Sequence, residues 1–534
     1  MISTSTDTRG GTRELPDKPP ISIAPDGTVH PVPTAADARA SFGEIALKAA
    51  EHSRRGGQVV LVQGLGFVGA AVAATIADTK APDGAPLYFV IGIDLQTPGS
   101  YWKVEKINAG LVPIDSTDPV LAGLTHHAVH ETGNLRATTC EDAYGLADVI
   151  VVDVHLDVAD RANGADAEIH VDLEPFRAAI RTIGRLMRPD ALVVVETTVP
   201  PGTCEHVVLP VLREERARRG IDEPVLLAHA YERVMPGPNY VSSIRAYPRT
   251  YSGVDERSSS QARAFLSTFV DSPDGNLLWR LENPLSSELG KLLENSYRAA
   301  NIAFIHEWTL LAEKIGVNLF EIIDSIRVRT GTHDNMRYPG FGVGGYCLTK
   351  DSLLAQWGVT HLLGSDALLE NTLDALRTNA LMPMHAVDLV KEVAPAGLGG
   401  ARIAVCGVSY VPDVADTRNS PTEALVDALL AEGAELRVHD PSVRTWLERP
   451  DVPIVQDLEA TLADADGIVL AVGHRVYREF EARSLTRLTP RPTFIVDAQN
   501  VLSDESAREL HAAGWLVVGV GKGHWRRDGM HCPT

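Results

Sequence analysis

The 534-residue sequence has few cysteines, a deficit of basic residues and no long apolar run. Its five cysteines form no CxxC pair and have no histidine at metal-ligand spacing, which argues against a structural zinc site and predicts a reduced compartment. With 49 Lys and Arg against 70 Asp and Glu, the net charge of -21 argues against a general nucleic-acid binder, because clustered basic residues supply affinity for phosphates. An anionic ligand would have to be held by local donors.

Signals for membrane insertion and secretion are also missing. No apolar stretch is long enough to span a bilayer, and the first residues, rich in Ser and Thr, include no apolar segment of the secretory type. We therefore expect a cytoplasmic protein without membrane contact. A chain of this length exceeds one ordinary domain, so two or three folded units are predicted.

Residues 1–56 are predicted to be an N-terminal extension, largely disordered with one helix. The first 35 or so residues are rich in Ser, Thr, Pro and Gly and show no apolar periodicity, which is typical of a disordered tail. Ala and Leu at helical spacing then predict a helix over Ala35–His52, and the Gly56-Gly57 pair ends it.

The next segment, 57–282, begins with a dinucleotide-binding pattern. An apolar run over Val59–Gln63 leads directly into a GxGxxG motif and then a helical pattern. In such a motif the first glycine allows a tight turn, the second lets a pyrophosphate approach, and the third lets the helix pack on the strand. A second apolar run over Tyr88–Ile93 ends in Asp94, a carboxylate placed to bind an adenosine ribose and to repel a 2′-phosphate. The sequence therefore predicts NAD, rather than NADP, bound by Gly64, Gly66, Phe67, Val68, Gly69 and Asp94.

Alternating strand and helix patterns predict an α/β fold with two Rossmann-like doubly wound domains joined by a long central helix. The helix is predicted over Ser286–Ile315, in a central helical domain of residues 283–395. Its apolar face is predicted to contain Leu289, Leu292, Leu293, Phe304, Trp308, Leu311 and Ile315. Such a helix between two α/β units commonly forms a dimer contact. The second Rossmann-like domain, 396–534, lacks GxGxxG after Cys406, which argues against a second dinucleotide. The sequence leaves open whether this domain binds another nucleotide-like ligand.

A glycine-rich loop over 340–351 delivers Cys347 and, four residues later, Asp351. Four-residue spacing suits two side chains on one side of a helical first turn, and a helix N-terminus would favour the Cys347 thiolate. A turn followed by a packed cysteine explains this loop equally well.

Lys291 and Asn295, four residues apart, share a helix face. They are either a functional pair or two solvent-exposed side chains. Thr198 follows a strand, where ligands bind, although a helix cap is the better interpretation of that residue alone.

Six separated motifs, taken in order, resemble those of the nucleotide-sugar dehydrogenase family, which includes UDP-glucose, GDP-mannose and UDP-N-acetylmannosamine 6-dehydrogenases. The resemblance covers the chain from about Val59 to its C-terminus. The motifs are 64–69, Glu196–Thr203, Glu232-Arg233-Val234-Met235-Pro236-Gly237, Lys291 with Asn295, Gly344–Cys347 with Asp351, and Asp413–Pro421. The Glu232 motif is most similar to the N-acetylmannosaminuronate branch, whereas Lys350 before Asp351 is more similar to the UDP-glucose branch.

The resemblance implies a four-electron oxidation of a primary alcohol to a carboxylate, with two NAD molecules, a nucleotide-sugar substrate and no metal. It implies that Cys347 captures the aldehyde and that Lys291 and Asn295 stabilise the charged oxygen. Further implied roles are catalytic for Asp351, Thr198 and Glu232, NAD contact for Thr198 and Arg418, and substrate contact for Glu232, Arg233, Lys291, Asn295, Tyr338 and Gly344. The implied assembly is a homodimer or higher homo-oligomer, and the implied setting is polysaccharide biosynthesis.

The chain departs from the family pattern at three places. A Val-Pro-Thr-Pro-like loop is replaced by Val154-His155-Leu156-Asp157, a proline by Tyr231, and a lysine near the nucleotide by Val411. The substrate arginine that a neighbouring subunit commonly donates is Arg327, Arg329 or Arg337. Two alternatives therefore stay open, a single-step NAD-dependent alcohol or hydroxyacid dehydrogenase without covalent catalysis, and a non-catalytic paralogue that senses nucleotide sugars.

Overall fold

The structure, a computed structural model, describes residues 20–114, 116–158, 169–234, 237–271, 277–394, 396–489 and 494–532. The described residues form two compact units. Unit 1 draws on the described residues within 20–114, 119–153 and 182–194, and unit 2 on those within 116–118, 154–181 and 195–532. The four-segment domain division predicted from the sequence stays a prediction. In the described part of the chain, no helix is both long and apolar enough to cross a membrane.

Fifteen strands and eighteen α-helices are described. The strands are β1 (Ile21–Ile23), β2 (Val29–Pro31), β3 (Gln58–Gln63), β4 (Tyr88–Ile93), β5 (Leu135–Thr138), β6 (Val149–Val152), β7 (Leu192–Val195), β8 (Leu226–His229), β9 (Arg249–Gly253), β10 (Leu278–Arg280), β11 (Arg402–Cys406), β12 (Glu435–His439), β13 (Gly467–Leu470), β14 (Phe494–Asp497) and β15 (Leu516–Gly519). The helices are α1 (Ala35–Arg54), α2 (Gly69–Ala77), α3 (Tyr101–Asn108), α4 (Pro119–His126), α5 (Glu174–Leu186), α6 (Leu209–Arg218), α7 (Tyr240–Ala246), α8 (Glu256–Leu266), α9 (Pro284–Ile315), α10 (Leu319–Arg327), α11 (Asp351–His361), α12 (Glu370–Val393), α13 (Pro421–Ala431), α14 (Leu458–Leu462), α15 (Arg475–Arg478), α16 (Ala482–Leu488), α17 (Asp504–Ala512) and α18 (Gly523–Arg527).

Unit 1 is built on a sheet with the strand order β7-β6-β3-β4-β5. β3 pairs in parallel with both β4 and β6, and β4 pairs in parallel with β5. The residues of β4 are all buried, as expected for a strand covered on both faces. Because the strand order reverses at β3, the carboxyl end of β3 lies at a topological switch point, where ligands bind in such sheets.

Unit 2 contains a second parallel sheet, with the order β12-β11-β13-β14-β15, and the antiparallel pair of β8 and β9, with β10 beside β9. Its longest helices, α9 and α12, pack against each other, and α11 packs against α9. The predicted α/β fold, with Rossmann-like sheets and a long helix between the two sheet regions of the sequence, is confirmed.

The long helix α9 begins and ends as the sequence predicts. The Asn283 side chain caps it by accepting a hydrogen bond from Ser286 N at 2.8 Å, and Gly316, with φ of +77°, ends it. Its apolar stripe is largely exposed, since of the seven predicted residues only Leu292 is buried. Small and polar residues form the buried side instead, among them Ser287, Asn295, Ser296, Ala299, Ala303 and Thr309.

The prediction of a disordered tail up to about residue 35 is wrong for residues 21–31. These residues form an antiparallel hairpin of β1 and β2, in which Ile21 pairs with Pro31. Residues 1–19, also predicted to be disordered, lie outside the described residues. Helix α1 matches its prediction within two residues, and Thr34 and Asp37 form a capping box at its start.

The turn after β11 is held by a carboxylate. Asp440, which follows β12 and is 1% exposed, accepts hydrogen bonds from Val408 N at 2.8 Å and Ser409 N at 3.0 Å, and from His474 Nε2 at 3.0 Å. Its second oxygen accepts from two further amides, those of Ser442 and Val443. Asp440 therefore fixes the turn after β11 from the end of the neighbouring strand, as Asp94 does for the turn after β3.

We predict that Asp440→Ala lowers the free energy of unfolding by about 3 kcal/mol, because it leaves buried donors without an acceptor. Urea denaturation monitored by the fluorescence of the buried Trp446, Trp515 and Trp525 measures this. Asp451→Ala, at an exposed aspartate, is the control and should have little effect.

The difference between wild type and Asp440→Ala should shrink in acid. Burial raises the pKa of Asp440, but hydrogen bonds from His474 and the amides outweigh burial, so the pKa lies below its usual value. The stabilisation is therefore full above the ordinary aspartate pKa of about 4 and is lost as the pH falls through the lowered value. A difference that grows below pH 4 would contradict the lowered pKa of Asp440.

Candidate functional site

The glycine turn of unit 1 lies between β3 and α2 and fits a dinucleotide. Gly64 has φ of +94°, and a Cβ at Gly69 would overlap the Gly64 carbonyl oxygen, so both positions require glycine. A Cβ at Gly66 would meet no atom within 4 Å, so its backbone is open to an approaching group. Val68, at the N-cap of α2, makes no side-chain capping bond, as expected where a phosphate would cap the helix.

Asp94 is fixed beside this turn. One carboxylate oxygen accepts from Leu65 N at 2.9 Å and from Lys103 Nζ at 3.1 Å, and the other accepts from Leu95 N at 2.7 Å. The carboxylate thus lies at the end of β4 beside the backbone of the turn, where a ribose-binding acid is required. Sequence reasoning missed Lys103, because no spacing rule links it to Asp94.

The cysteine loop of unit 2 immediately precedes α11. The Cys347 carbonyl accepts hydrogen bonds from Lys350 N at 3.2 Å and Asp351 N at 3.0 Å, so Cys347 lies one turn before the first helical residue. Gly345 has φ of +79° and donates through its N–H to the Arg418 carbonyl at 2.9 Å. A Cβ at Gly344 would lie 2.5 Å from the Tyr410 Cβ. These glycines therefore allow the loop to pack against the segment 407–421.

A buried polar network supports Cys347. Asp351, 1% exposed, accepts from Asn295 Nδ2 at 2.6 Å and, through its other oxygen, from Lys350 Nζ at 3.1 Å. Lys350 is equally buried and lies 4.5 Å from the centre of the Tyr346 ring. Lys291 donates to the Glu232 carbonyl at 2.7 Å. The structure thus joins Asn295 and Asp351 directly, and it adds Lys350, which sequence reasoning noted only as a family marker.

The charges around Cys347 oppose one another. Burial raises the pKa of the Cys347 thiol, the Asp351 carboxylate raises it further, and Lys291, Lys350 and Arg418 lower it without cancelling the rise. The predicted benefit from a helix N-terminus is therefore outweighed, first by burial and then by the carboxylate of Asp351, the first residue of α11. The Cys347 side chain nevertheless reaches solvent.

Glu232 lies in a buried charged group that sequence reasoning missed. Arg249 donates to Glu196, and its Nη1 lies 3.9 Å from the Glu232 carboxylate. Burial raises the pKa of Glu196 to about 7, an increase that Arg249 opposes and Glu232 reinforces. Thr198 lies half-buried just after β7. In sequence, Arg249 carries no motif that would have identified it.

Arg233 and Tyr231 form a separate contact next to Glu232. Arg233 donates to Glu294 at 2.9 Å and to the Tyr231 hydroxyl at 2.9 Å, and it also bonds to the Pro248 carbonyl. The Tyr231 ring contacts cations, since Lys291 Nζ lies 5.6 Å from its centre. The tyrosine that replaces the family proline therefore borders Lys291. Residues Met235 and Pro236 of this motif lie outside the described residues.

The departure at His155 contacts the neighbour of Cys347. The Tyr346 hydroxyl bonds to His155 Nε2 at 2.7 Å and donates to the Leu156 carbonyl at 2.5 Å. Arg418 is held by a bidentate bond to Asp416, and its guanidinium lies 5.8 Å from the Tyr346 ring centre. His155 and Arg418 therefore both border Tyr346. The Val411 carbonyl accepts from Ser409 Oγ at 3.1 Å, and its side chain takes no part in this arrangement.

The remaining predicted substrate residues lie between α10 and the cysteine loop. Tyr338 is exposed, donates to Asp324 at 2.5 Å and stacks on Arg327, whose Cζ is 4.7 Å from the ring centre. Burial, then the neighbouring Arg298 and Arg327, lower the pKa of Arg337. Arg298, Arg327 and Arg337 therefore lie close enough for their charges to oppose one another. No group of three or more His, Cys, Asp or Glu suited to a metal occurs among the described residues.

Three family models match the chain in order. The NAD binding domain of the UDP-glucose/GDP-mannose dehydrogenase family matches residues 58–268, the central domain 285–374 and the UDP binding domain 404–504. The predicted NAD cofactor and nucleotide-sugar substrate are thereby confirmed. The roles predicted for individual site residues stay predictions.

Individual relatives cover nearly the same span. UDP-N-acetyl-D-mannosamine dehydrogenase from Pyrococcus horikoshii is 30% identical over 87% of this chain and 99% of its own. The protein of that name from Methanocaldococcus jannaschii is 28% identical over 88% and 97%. The crystal structure of NDP-N-acetyl-D-galactosaminuronic acid dehydrogenase from Methanosarcina mazei has a TM-score of 0.73, with 29% identity over 89% of this chain and 98% of its own.

The charges around Cys347 predict opposite effects for two variants. Asp351→Asn should lower the pKa of Cys347 and accelerate its alkylation at pH 7.5 by up to about tenfold, whereas Lys350→Met should slow alkylation. Iodoacetamide labelling with peptide mass mapping measures both, and the exposed Cys532 is the internal control. In the wild type, half-maximal labelling should occur above the ordinary thiol pKa of about 8.5. Shifts of the same sign in both variants would show that these two charges do not oppose each other at the thiol.

Proposed function

The chain belongs to the UDP-glucose/GDP-mannose dehydrogenase family, and from this premise we propose that it oxidises the C6 primary alcohol of a UDP-linked sugar to a carboxylate through covalent catalysis by Cys347. The observation that carries the proposal is the buried Asn295–Asp351–Lys350 network directly behind a solvent-reaching cysteine. A cysteine with only a packing role does not require such a network.

Bound NAD supplies the hydride acceptor for both oxidations. In the first half of the reaction, C6 of the alcohol loses a hydride to the cofactor and its hydroxyl loses a proton to solvent, which gives an aldehyde. The Cys347 sulfur then adds to the carbon of that aldehyde, so that a thiohemiacetal keeps the intermediate on the protein. Lys291 and Asn295 stabilise the charge on its oxygen. Because the pKa of Cys347 is raised, the thiol must transfer its proton to a base or to solvent as it adds.

In the second half of the reaction, water hydrolyses the thioester on Cys347. Loss of a second hydride from the thiohemiacetal, with its hydroxyl proton passing to solvent, gives a thioester, in which carbon has reached the oxidation level of the acid. Asp351 and Thr198 position a water molecule, and Glu232 takes its proton as the water attacks. The carbon–sulfur bond then breaks, the carboxylate leaves, and Cys347 returns to its starting state. Arg249, whose Nη1 lies 3.9 Å from the Glu232 carboxylate, partly offsets the negative charge of that base.

We propose a UDP-N-acetylhexosamine, of the N-acetylmannosamine type, as substrate in preference to UDP-glucose. The relatives from Pyrococcus horikoshii and Methanocaldococcus jannaschii, both UDP-N-acetyl-D-mannosamine dehydrogenases, support this preference, as does the Glu232 motif. Among the three candidate substrate arginines we propose Arg337, because it directly precedes the proposed substrate residue Tyr338, whereas Arg327 already stacks on Tyr338 and donates to the Met336 carbonyl at 3.2 Å.

We also propose a homodimer assembled through the exposed stripe of α9. Leu289, Leu293, Phe304, Trp308, Leu311 and Ile315 are between 45% and 66% exposed in the single chain. A row of large apolar side chains along a 32-residue helix is unusual on a monomer surface. A second copy of the same helix would cover it symmetrically.

The yield of NADH tests the covalent mechanism. With limiting UDP-N-acetylmannosamine, the wild type should form two NADH per sugar and release the uronate, whereas Cys347→Ala should release no uronate. Cys532→Ala, at an exposed cysteine outside the site, is the control and should behave as wild type. UDP-glucose, UDP-N-acetylglucosamine and GDP-mannose are compared in parallel.

Other yields identify the alternatives. One NADH per sugar with a released aldehyde, unaffected by Cys347→Ala, would establish a single-step dehydrogenase. Binding of NAD and nucleotide sugar without turnover would establish a sensor. Two NADH with UDP-glucose alone would keep the mechanism and overturn the substrate preference.

Light scattering after size-exclusion chromatography tests the dimer. The wild type should have twice the 57.5 kDa mass of one chain, and Trp308→Glu should shift it to the monomer, because a buried carboxylate without a partner is costly in an apolar interface. Trp279→Glu, at an exposed tryptophan on β10, is the matched control. A dimer that survives Trp308→Glu would overturn the proposed interface.

A further inference from the structure

The N-terminal hairpin makes a buried contact with the segment after Asp94 in unit 1. Ser22, 0% exposed, donates to the Pro98 carbonyl at 2.6 Å and accepts from Trp102 N at 3.0 Å. Trp102 is the second residue of α3, and Ser100, at the N-cap of this helix, makes no side-chain capping bond. Ser22 therefore provides the acceptor that an N-cap side chain ordinarily provides, from a position 80 residues earlier.

Two further contacts attach the same segment to the extension. Gln96 Nε2 donates to the Pro33 carbonyl at 2.5 Å, and Lys106 forms an ion pair with Asp26 in the hairpin turn. The segment 96–106 is thus held by the extension before α3, at its first turn and near its end. The buried Ser22 contact should be the strongest of the three, because the Asp26 side chain is 51% exposed and its ion pair is screened by water.

The segment held in this way carries Lys103. Lys103 directly follows Trp102 and donates to the Asp94 carboxylate oxygen that also accepts from Leu65 N in the glycine turn. A continuous series of contacts therefore runs from Ser22 through the first turn of α3 and Lys103 to Asp94. The position of that first turn determines where the Lys103 ammonium lies, and the ammonium in turn restricts the orientation of the carboxylate.

We propose that the hairpin is a positioning element of the cofactor site, in which Ser22 and Asp26 hold α3 so that Lys103 orients Asp94 toward the adenosine ribose hydroxyls of NAD. The proposal rests on the proposed ribose-binding role of Asp94. The hairpin precedes residue 58, where the match to the NAD binding domain begins. Ser22 and Asp26 therefore act on the cofactor site from outside the matched region.

Titration calorimetry of NAD binding to the full-length protein tests the proposal. Ser22→Ala should raise the Kd for NAD by about fivefold, which corresponds to the net contribution of one hydrogen bond. Asp26→Asn should raise the Kd by about twofold, whereas Asp26→Glu, which keeps the carboxylate, should leave the Kd near the wild-type value. Ser41→Ala, which removes a hydroxyl bonded only within α1, is the matched control and should leave the Kd unchanged.

Two further readouts separate positioning from general destabilisation. In Ser22→Ala the KM for NAD should rise, whereas kcat and the KM for the nucleotide sugar stay at wild-type values, and the melting temperature, although lowered by the loss of a buried acceptor, should stay well above the assay temperature. Equal changes in both KM values would overturn the proposal, because a destabilised protein would lose both affinities together.

Asp94→Asn distinguishes this proposal from the one on which it rests. If Asp94→Asn weakens NAD binding and neither Ser22→Ala nor Asp26→Asn does, the hairpin has no positioning role and the inference is wrong. If Asp94→Asn leaves NAD binding unchanged, the ribose role of Asp94 is wrong and the inference fails with it. Weakening in all three variants, in the order Asp94, Ser22, Asp26, is the expected result.

Discussion

The hydrogen-bonded ion pair between Lys350 and Asp351 is the interaction on which the organisation of unit 2 around Cys347 depends. Both side chains are almost fully buried, so each charge is tolerable only because the other is present. Asn295 uses the second oxygen of Asp351, which fixes the start of α11 against α9. The backbone immediately before Asp351 forms the turn that bears Cys347. The Lys350 and Asp351 side chains are thus held in place by burial, whereas Cys347 remains accessible to solvent.

Core packing favours large apolar residues on the buried side of α9, whereas the proposed chemistry requires polar residues there. A helix at the centre of a folded unit ordinarily buries its large apolar residues, but this side of α9 must present Lys291 and Asn295 and accommodate α11 and α12. It therefore carries Ser, Ala, Asn and Thr on its buried side. The large apolar residues are displaced to the opposite side, where the proposed second copy of the chain would cover them.

Local patterns were sufficient to predict much of this molecule. The strands β3, β4, β11 and β13 and the helices α1 and α9 follow from apolar runs, caps and glycines, because these signals act over neighbouring residues. The hairpin was missed because Ile21–Pro31 has a loop-like composition and is ordered by contacts with α3, which no local pattern reveals. The apolar stripe of α9 was identified, but its exposure depends on which neighbours the fold brings to the helix.

The same distinction applies to the site. Residues in contiguous motifs, such as the glycine turn and the cysteine loop, could be identified from spacing alone. Lys103, Arg249 and His155 could not, because each acts on a residue that the fold brings near, Arg249 on Glu196 and His155 on Tyr346. Long-range charge pairing leaves no periodic trace in a sequence.

The glycine turn between β3 and α2 has a consequence for how the proposed reaction proceeds in time. The turn after β11 lacks the GxGxxG motif, so the proposed reaction has one dinucleotide turn, that of unit 1. In the proposed reaction two NAD molecules must therefore use that turn in succession, and the sulfur-bound intermediate must outlast one exchange of NADH for NAD. The lifetime of the stored aldehyde is then set by cofactor exchange, and a high cellular ratio of NADH to NAD would prolong it.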